Sequence, residues 1–218
     1  MSLTAQNMMD RASIIIQDLT NTRWPANELI GWLNDGRREM AIFRPDIYAA
    51  TASPTLVAGA KQTLPSGGIR LMDVQRNASG PAVTITQRGY LDQHNPNWYQ
   101  MPSSLTIKHF MLDERDPQIY WVYPPAKAGS SVEIIYQQIV TDYTSSSTLA
   151  TYEELYSGAL VDYVCYRAFS KDAEYAGNAD RAIAHYNQFV NSLKTGGTIS
   201  IATSPNVHNV GGAKQVQG

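Results

Sequence analysis

Thiols, net charge and long apolar runs are all scarce in this chain. A single cysteine, Cys165, leaves no intrachain disulfide framework and no cluster of thiolate metal ligands. Seventeen basic residues against nineteen acidic ones give a formal charge of −2, which argues against a broad basic face of the kind that grips nucleic acid. Near the N-terminus the most apolar short stretch is Ile14-Ile15-Ile16, far too short to cross a bilayer. Residues 1–20 lack a basic region, an apolar run and a small-residue cleavage site in series. No targeting segment is therefore expected, and the protein reads as soluble and intracellular at synthesis.

Catalytic signatures are missing too. The sequence has no Gly-x-Ser-x-Gly, no phosphate-binding loop and no dinucleotide fingerprint. Its four histidines, His94, His109, His185 and His208, have no second His or Cys at metal-ligand spacing. His185 reads as a solvated residue on the polar side of the last helix, and His109 as a hydrogen-bonded, half-buried residue on an alternating strand face. Asp113-Glu114-Arg115-Asp116 lacks the ligand spacing and turn glycine of a calcium loop and reads as a charged hairpin tip. Glu153-Glu154 are explained by a helix start, where negative charge meets the positive end of the dipole. Cys165 lies between apolar neighbours and reads as a small buried hydrophobe. The expectation is a protein that is not an enzyme, with no catalytic residue, no metal and no cofactor.

What the chain does have is apolar and uncharged polar material. Charged residues make up 17% of it, against roughly 25% in ordinary soluble domains. Ser, Thr, Asn and Gln together supply 58 of the 218 residues, and 43% are hydrophobic. The thirteen tyrosines suit wet protein–protein contacts, since Tyr combines apolar area with a polar tip.

Periodicity orders this material. Met8, Ala12, Ile15, Ile16 and Leu19 share one helical face, as do Leu29, Leu33, Gly36, Met40 and Phe43 between Pro25 and Pro45. From about 51 to 140 the period drops to two. Leu105–Leu112, Ile119–Tyr123 and Val132–Tyr136 alternate between turn-rich segments, which predicts an antiparallel meander. Shorter strands are expected at Ile69–Val74 and Ala82–Gln87. Thr151 with Glu154 forms a capping-box pattern for a third helix carrying two apolar stripes, one Leu155, Ala159, Tyr163 and Tyr166, the other Leu160, Val164 and Ala168. Two stripes imply a helix central to the fold or one that also touches another subunit. The last helix starts near Asn178, buries Ile183, Tyr186, Val190 and Leu193, and ends at Gly196-Gly197.

The predicted fold class is α+β: a four-helix bundle from N- and C-terminal helical hairpins (1–50 and 151–196), an inserted antiparallel β-rich region (51–150), and an extended C-terminal tail (197–218). Within the insertion, the Pro/Asn-rich loop 94–102 holds Trp98 and Tyr99. These aromatics can plug the sheet, anchor a neighbouring subunit, or stack on a sugar.

Two stretches carry a resemblance. One is Arg23-Trp24-Pro25-Ala26-Asn27-Glu28-Leu29-Ile30-Gly31-Trp32-Leu33-Asn34-Asp35-Gly36-Arg37-Arg38-Glu39. The other runs from Leu160-Val161-Asp162-Tyr163-Val164 through Arg167-Ala168-Phe169-Ser170-Lys171-Asp172-Ala173-Glu174-Tyr175 to Asn178. Val122-Tyr123-Pro124-Pro125 and Val132-Glu133-Ile134-Ile135-Tyr136 fit the same type. Over roughly residues 5–195 the chain resembles head-to-tail adaptor (connector) proteins of tailed bacteriophages. The resemblance implies a homo-oligomeric ring, commonly about twelve copies, at the head–tail junction of the virion and made in the host cytoplasm. Such a ring would sit under the portal protein and meet a tail tube or nozzle protein. Packaged DNA would pass through it without sequence-specific binding, and no membrane is involved. It further implies a C-terminal extension on the portal, here Ile199, Ile201, Val207, Val210 and Lys214. Subunit or tail contact would fall to Trp98, Tyr99, Tyr163 and Tyr166. The rival reading is a soluble glycan- or ligand-binding module using Trp98, Tyr99 and Trp121 as stacking platforms.

Overall fold

A computed structural model describes residues 3–113, 115–145, 153–175 and 177–202. The chain divides into two compact units, Met1–Ile47 with Val140–Gly218, and Tyr48–Ile139. Among the described residues the fold is α+β, with five α-helices and two sheets.

In the first unit, helix α1 (Ala5–Ile15) opens with a capping box: the Asn7 amide donates to the Thr4 hydroxyl at 3.2 Å, and the Thr4 amide donates to the Asn7 side chain at 2.9 Å. It buries Met8, Met9 and Ala12 but stops before the expected stripe is complete, leaving Ile15 and Leu19 exposed. The cause is local competition. The Asp18 carboxylate accepts the amides of Thr22, Arg23 and Trp24 at 3.0, 2.9 and 2.8 Å, which satisfies a turn in place of another helical turn. Helix α2 (Ala26–Phe43) buries Leu29, Leu33, Gly36 and Met40 as its spacing predicts, leaves Phe43 of the same face exposed at its last position, and ends before Pro45.

Helix α4 (Ser157–Lys171) comes after a 3-10 turn (Glu154–Tyr156); Thr151 of the predicted capping box lies outside the described residues. Ala159, Leu160, Val161, Tyr163, Val164, Cys165 and Ala168 are buried, because α1, α2 and the last helix, α5 (Asn178–Ala202), all pack on α4. Most of both stripes is thus consumed inside the unit, with Tyr166 half-buried. Leu155, expected on one of them, falls in the 3-10 turn and is exposed.

Helix α5 departs from expectation twice. Its buried residues are Ala182, Phe189 and Leu193, while Ile183 is exposed. Rotating the stripe places the larger Phe189 ring against Tyr163 and Phe43, with centroids 5.1 and 6.4 Å away. The helix also continues through Gly196-Gly197 to Ala202, so residues 198–202 are helical where an extended tail was expected.

In the second unit, β1 (Ala49–Ala52), β7 (Val132–Gln138) and β3 (Gly68–Asn77) form one antiparallel sheet in the order β1-β7-β3. The other sheet is β2 (Gly59–Thr63), β6 (Ile119–Ala126), β5 (His109–Leu112) and β4 (Thr84–Ile85), with β4 parallel to β5. The predicted meander is therefore corrected. Both edges of β6 are taken, by β2 and β5, so β7 pairs in the opposite sheet. The first half of the predicted 105–112 strand is not a ladder. Instead, the buried Asn77 side chain brackets Ile107, accepting its amide and donating to its carbonyl, both at 2.8 Å. Leu71, Val74, Val132 and Ile134 meet Phe110, Tyr120 and Val122 between the sheets. On the far face of the second sheet, helix α3 (Arg88–His94) and the 3-10 turn Trp98–Gln100 bring Leu91 and Trp98 onto Met111 and Trp121. Burial on both faces is why Ile119–Tyr123 is apolar throughout.

Candidate functional site

Groups with possible chemistry are already engaged in the fold. Cys165 is fully buried, and burial first, then the nearby Asp162 charge, pushes its thiol pKa up to about 12, away from reactivity. His109 is half-buried and hydrogen-bonded to the Thr84 hydroxyl at 2.7 Å. His185 is not simply solvated: its Nδ1 lies 2.8 Å from Asp162 Oδ1, and its ring stacks on Phe169 at 5.7 Å. Asp113 is held by Arg115, whose Nε donates at 2.9 Å; that hydrogen bond, first, keeps the Asp113 pKa below its usual value. Among the described residues, no three His, Cys, Asp or Glu gather as a metal site, and no helix is long and apolar enough to cross a membrane.

Of the sequence-predicted contact residues, Trp98 and Tyr99 meet edge-on with ring centroids 6.0 Å apart, and Tyr163 and Tyr166 do so at 5.6 Å. Trp98 is 2% exposed; its indole N–H donates to Asp92 Oδ1 at 2.8 Å and its ring meets Trp121 edge-on at 6.0 Å. Of the three readings of the loop, plugging the sheet describes Trp98, while Tyr99 beside it is 51% exposed. With Trp98 buried and Trp121 half-buried beneath Arg88, 5.2 Å from its ring, a shared stacking platform with Tyr99 is not formed. Tyr163 is buried against Gly36, where an added Cβ would stand 2.8 Å from the Tyr163 ring. Trp98 and Tyr163 are thus buried within their units, while Tyr99 is exposed and Tyr166 half-buried. Ile199 and Ile201 are exposed on the last turns of α5. Val207, Val210 and Lys214 lie outside the described residues.

Two polar assemblies in the helical unit were not visible in the sequence. One is buried. Arg37 Nε donates to Glu153 Oε1 at 2.8 Å, and Arg37 also donates to the Thr141 carbonyl at 2.6 Å. Its guanidinium lies 3.7 Å from the Tyr143 ring centroid, while the Tyr143 hydroxyl donates to Glu153 Oε2 at 3.1 Å. Asn34 exchanges two hydrogen bonds with the Tyr143 backbone, at 2.8 and 3.1 Å. Burial, then the Glu153 charge, raises the Tyr143 pKa well above that of a free phenol. Glu153 is therefore a buried partner of Arg37, not a free charge at a helix start.

The second assembly lies where α2 ends, the 3-10 turn enters α4, and α5 passes. Arg44, itself buried, holds Asp46 through two bonds of 2.8 and 2.6 Å and donates to the Tyr156 hydroxyl at 2.6 Å. Gly196 of α5 fits beneath this cluster: a Cβ there would lie 2.8 Å from the Tyr156 hydroxyl and 3.1 Å from an Arg44 nitrogen. Of the apolar side chains on these elements, Ile42, Leu155 and Ile201 are exposed, at 79%, 92% and 67%.

No curated protein matches this sequence. A family model described as SU10 adaptor protein matches residues 3–208. A match over nearly the whole chain shows that the chain belongs to the SU10 adaptor family of phage head-to-tail adaptors, components of the virion at the head–tail junction.

Proposed function

We propose that the protein forms a homo-oligomeric ring, on the order of twelve copies, which seats under the portal protein and receives the tail tube or nozzle. The observation that carries this reading is the exposure of large apolar side chains on the three elements that meet at the Arg44 cluster, Ile42 on α2, Leu155 in the turn before α4 and Ile201 on α5. Isolated exposed apolar residues are ordinary, but several large ones on adjoining elements mark a surface that a partner covers. Of the two stripes on α4, only Leu155, in the turn before the helix, and the half-buried Tyr166 are left to such a surface, the rest being buried within the chain. Ile199 and Ile201 on α5 are the portal-contact residues in this reading, and Tyr99 and Tyr166 serve a neighbouring subunit or the tail. The near balance of acidic and basic residues lets DNA move through the ring, because strong phosphate neutralisation would retard it.

Electron micrographs and native mass measurement of the protein alone, and mixed with purified portal, test the proposal. Rings, alone or on adding portal, are the expected result. A monomer in both preparations, with no portal complex, overturns it.

A further inference from the structure

The two glycines near the end of α5 stand in different surroundings. Gly196 is closely packed: a Cβ would stand 2.8 Å from the Tyr156 hydroxyl and ring edge, so Tyr156 would have to shift to admit one. Gly197 is not: its nearest neighbour would be Arg44 Cδ at 3.4 Å, an ordinary contact, and its φ is not left-handed. A glycine that neither packing nor backbone geometry demands destabilises a helix and provides conformational freedom instead.

The residues beyond Gly197 are equally ill suited to a helix. Gly196–Ile201 holds two glycines and three β-branched residues in six positions. The last buried side chain of α5 is Leu193, and residues 198–202 are all exposed. The Thr198 hydroxyl donates to the Lys194 carbonyl at 3.1 Å, a side-chain bond that competes with the backbone ladder. The isoleucines are spaced for a strand, not a helix. In the helix, Ile199 faces the groove lined by Leu155 and Tyr156, while Ile201 faces the groove lined by Phe43 and Arg44. In an extended chain, residues two apart fall on one face.

We infer that residues 198–202 are a conditional helix. They leave the helical state about Gly197, while the Arg44–Asp46–Tyr156 cluster holds the helix down at Gly196. The extended form gathers Ile199 and Ile201 on one side, the arrangement by which an added strand presents alternate side chains to a partner. The device is a two-state element with a closely packed point on one side and exposed side chains on the other.

Hydrogen exchange of the full chain, followed by mass spectrometry at near-residue resolution, tests this. Amides 199–202 are expected to exchange at least about 100-fold faster than amides 186–193, which share a helix with the buried Phe189 and Leu193. Gly197→Ala, which the structure accommodates, is expected to slow exchange at 199–202 about fivefold and leave 186–193 unchanged. Tyr156→Phe, which removes the bond to Arg44, is expected to carry fast exchange back toward Lys194. Equal protection along α5, or no response to Gly197→Ala, overturns the conditional helix. An unmoved boundary in Tyr156→Phe overturns the role of the cluster as its fixed point.

Discussion

Arg37 and Glu153 show how one residue's meaning changes with its surroundings. In the sequence, Arg37 belongs to a charged run after Gly36, and Glu153 precedes an apolar stripe. In the fold each is nearly dry, and each satisfies the other. A buried pair of this kind adds little over an apolar pair of equal volume, but removing one member strands the other charge. Arg37→Met is therefore expected to cost about 3–5 kcal/mol, and Arg37→Met with Glu153→Leu considerably less. Urea unfolding midpoints measure both. A single variant losing under about 1 kcal/mol would mean that water reaches Glu153. Neither partner's role was legible from spacing, because 116 residues separate them and no local pattern links them.

At the scale of elements, the end of α2 couples to pH through Asp46. Its hydrogen bonds from Arg44, the largest cause, hold the Asp46 pKa below its ordinary value of 3.8. A carboxyl depressed on folding contributes stability above its unfolded pKa and loses it as pH falls through the lower folded value. The contribution is thus complete at neutral pH and fades below about pH 4. Asp46→Asn should lower the denaturation midpoint at pH 7 and narrow the gap between the pH 7 and pH 3 midpoints. A gap the size of the wild type's would detach Asp46 from the acid response. Element type was readable where periodicity and capping agreed, as in α2 between its two prolines. It failed where a tertiary contact outweighed local preference. Tyr156 and Arg44 press on Gly196, and the expected helix stop becomes a point of close approach within α5.

For the whole molecule, the proposed assembly rests on the apolar side chains that the helical unit leaves exposed. Leu155→Glu and Ile42→Glu alter side chains that are already in solvent, so thermal stability should stay within about 0.5 kcal/mol of wild type. Assembly should fall sharply, as read by native mass or light scattering. Rings of undiminished yield would place the subunit interface elsewhere. By itself the sequence determined the α+β class, the helical termini around a β-rich middle, and the absence of enzyme signatures, because periodicity and residue chemistry are local properties. The resemblance to phage adaptors was likewise legible in contiguous stretches of sequence. Only the tertiary structure decided that β7 crosses to the opposite sheet, that Trp98 and Tyr163 are core residues, and that Glu153 is buried. It also carried α5 past its glycines. Each of these depends on which surface reaches a residue from a distant part of the chain, and long-range packing leaves no period in the sequence.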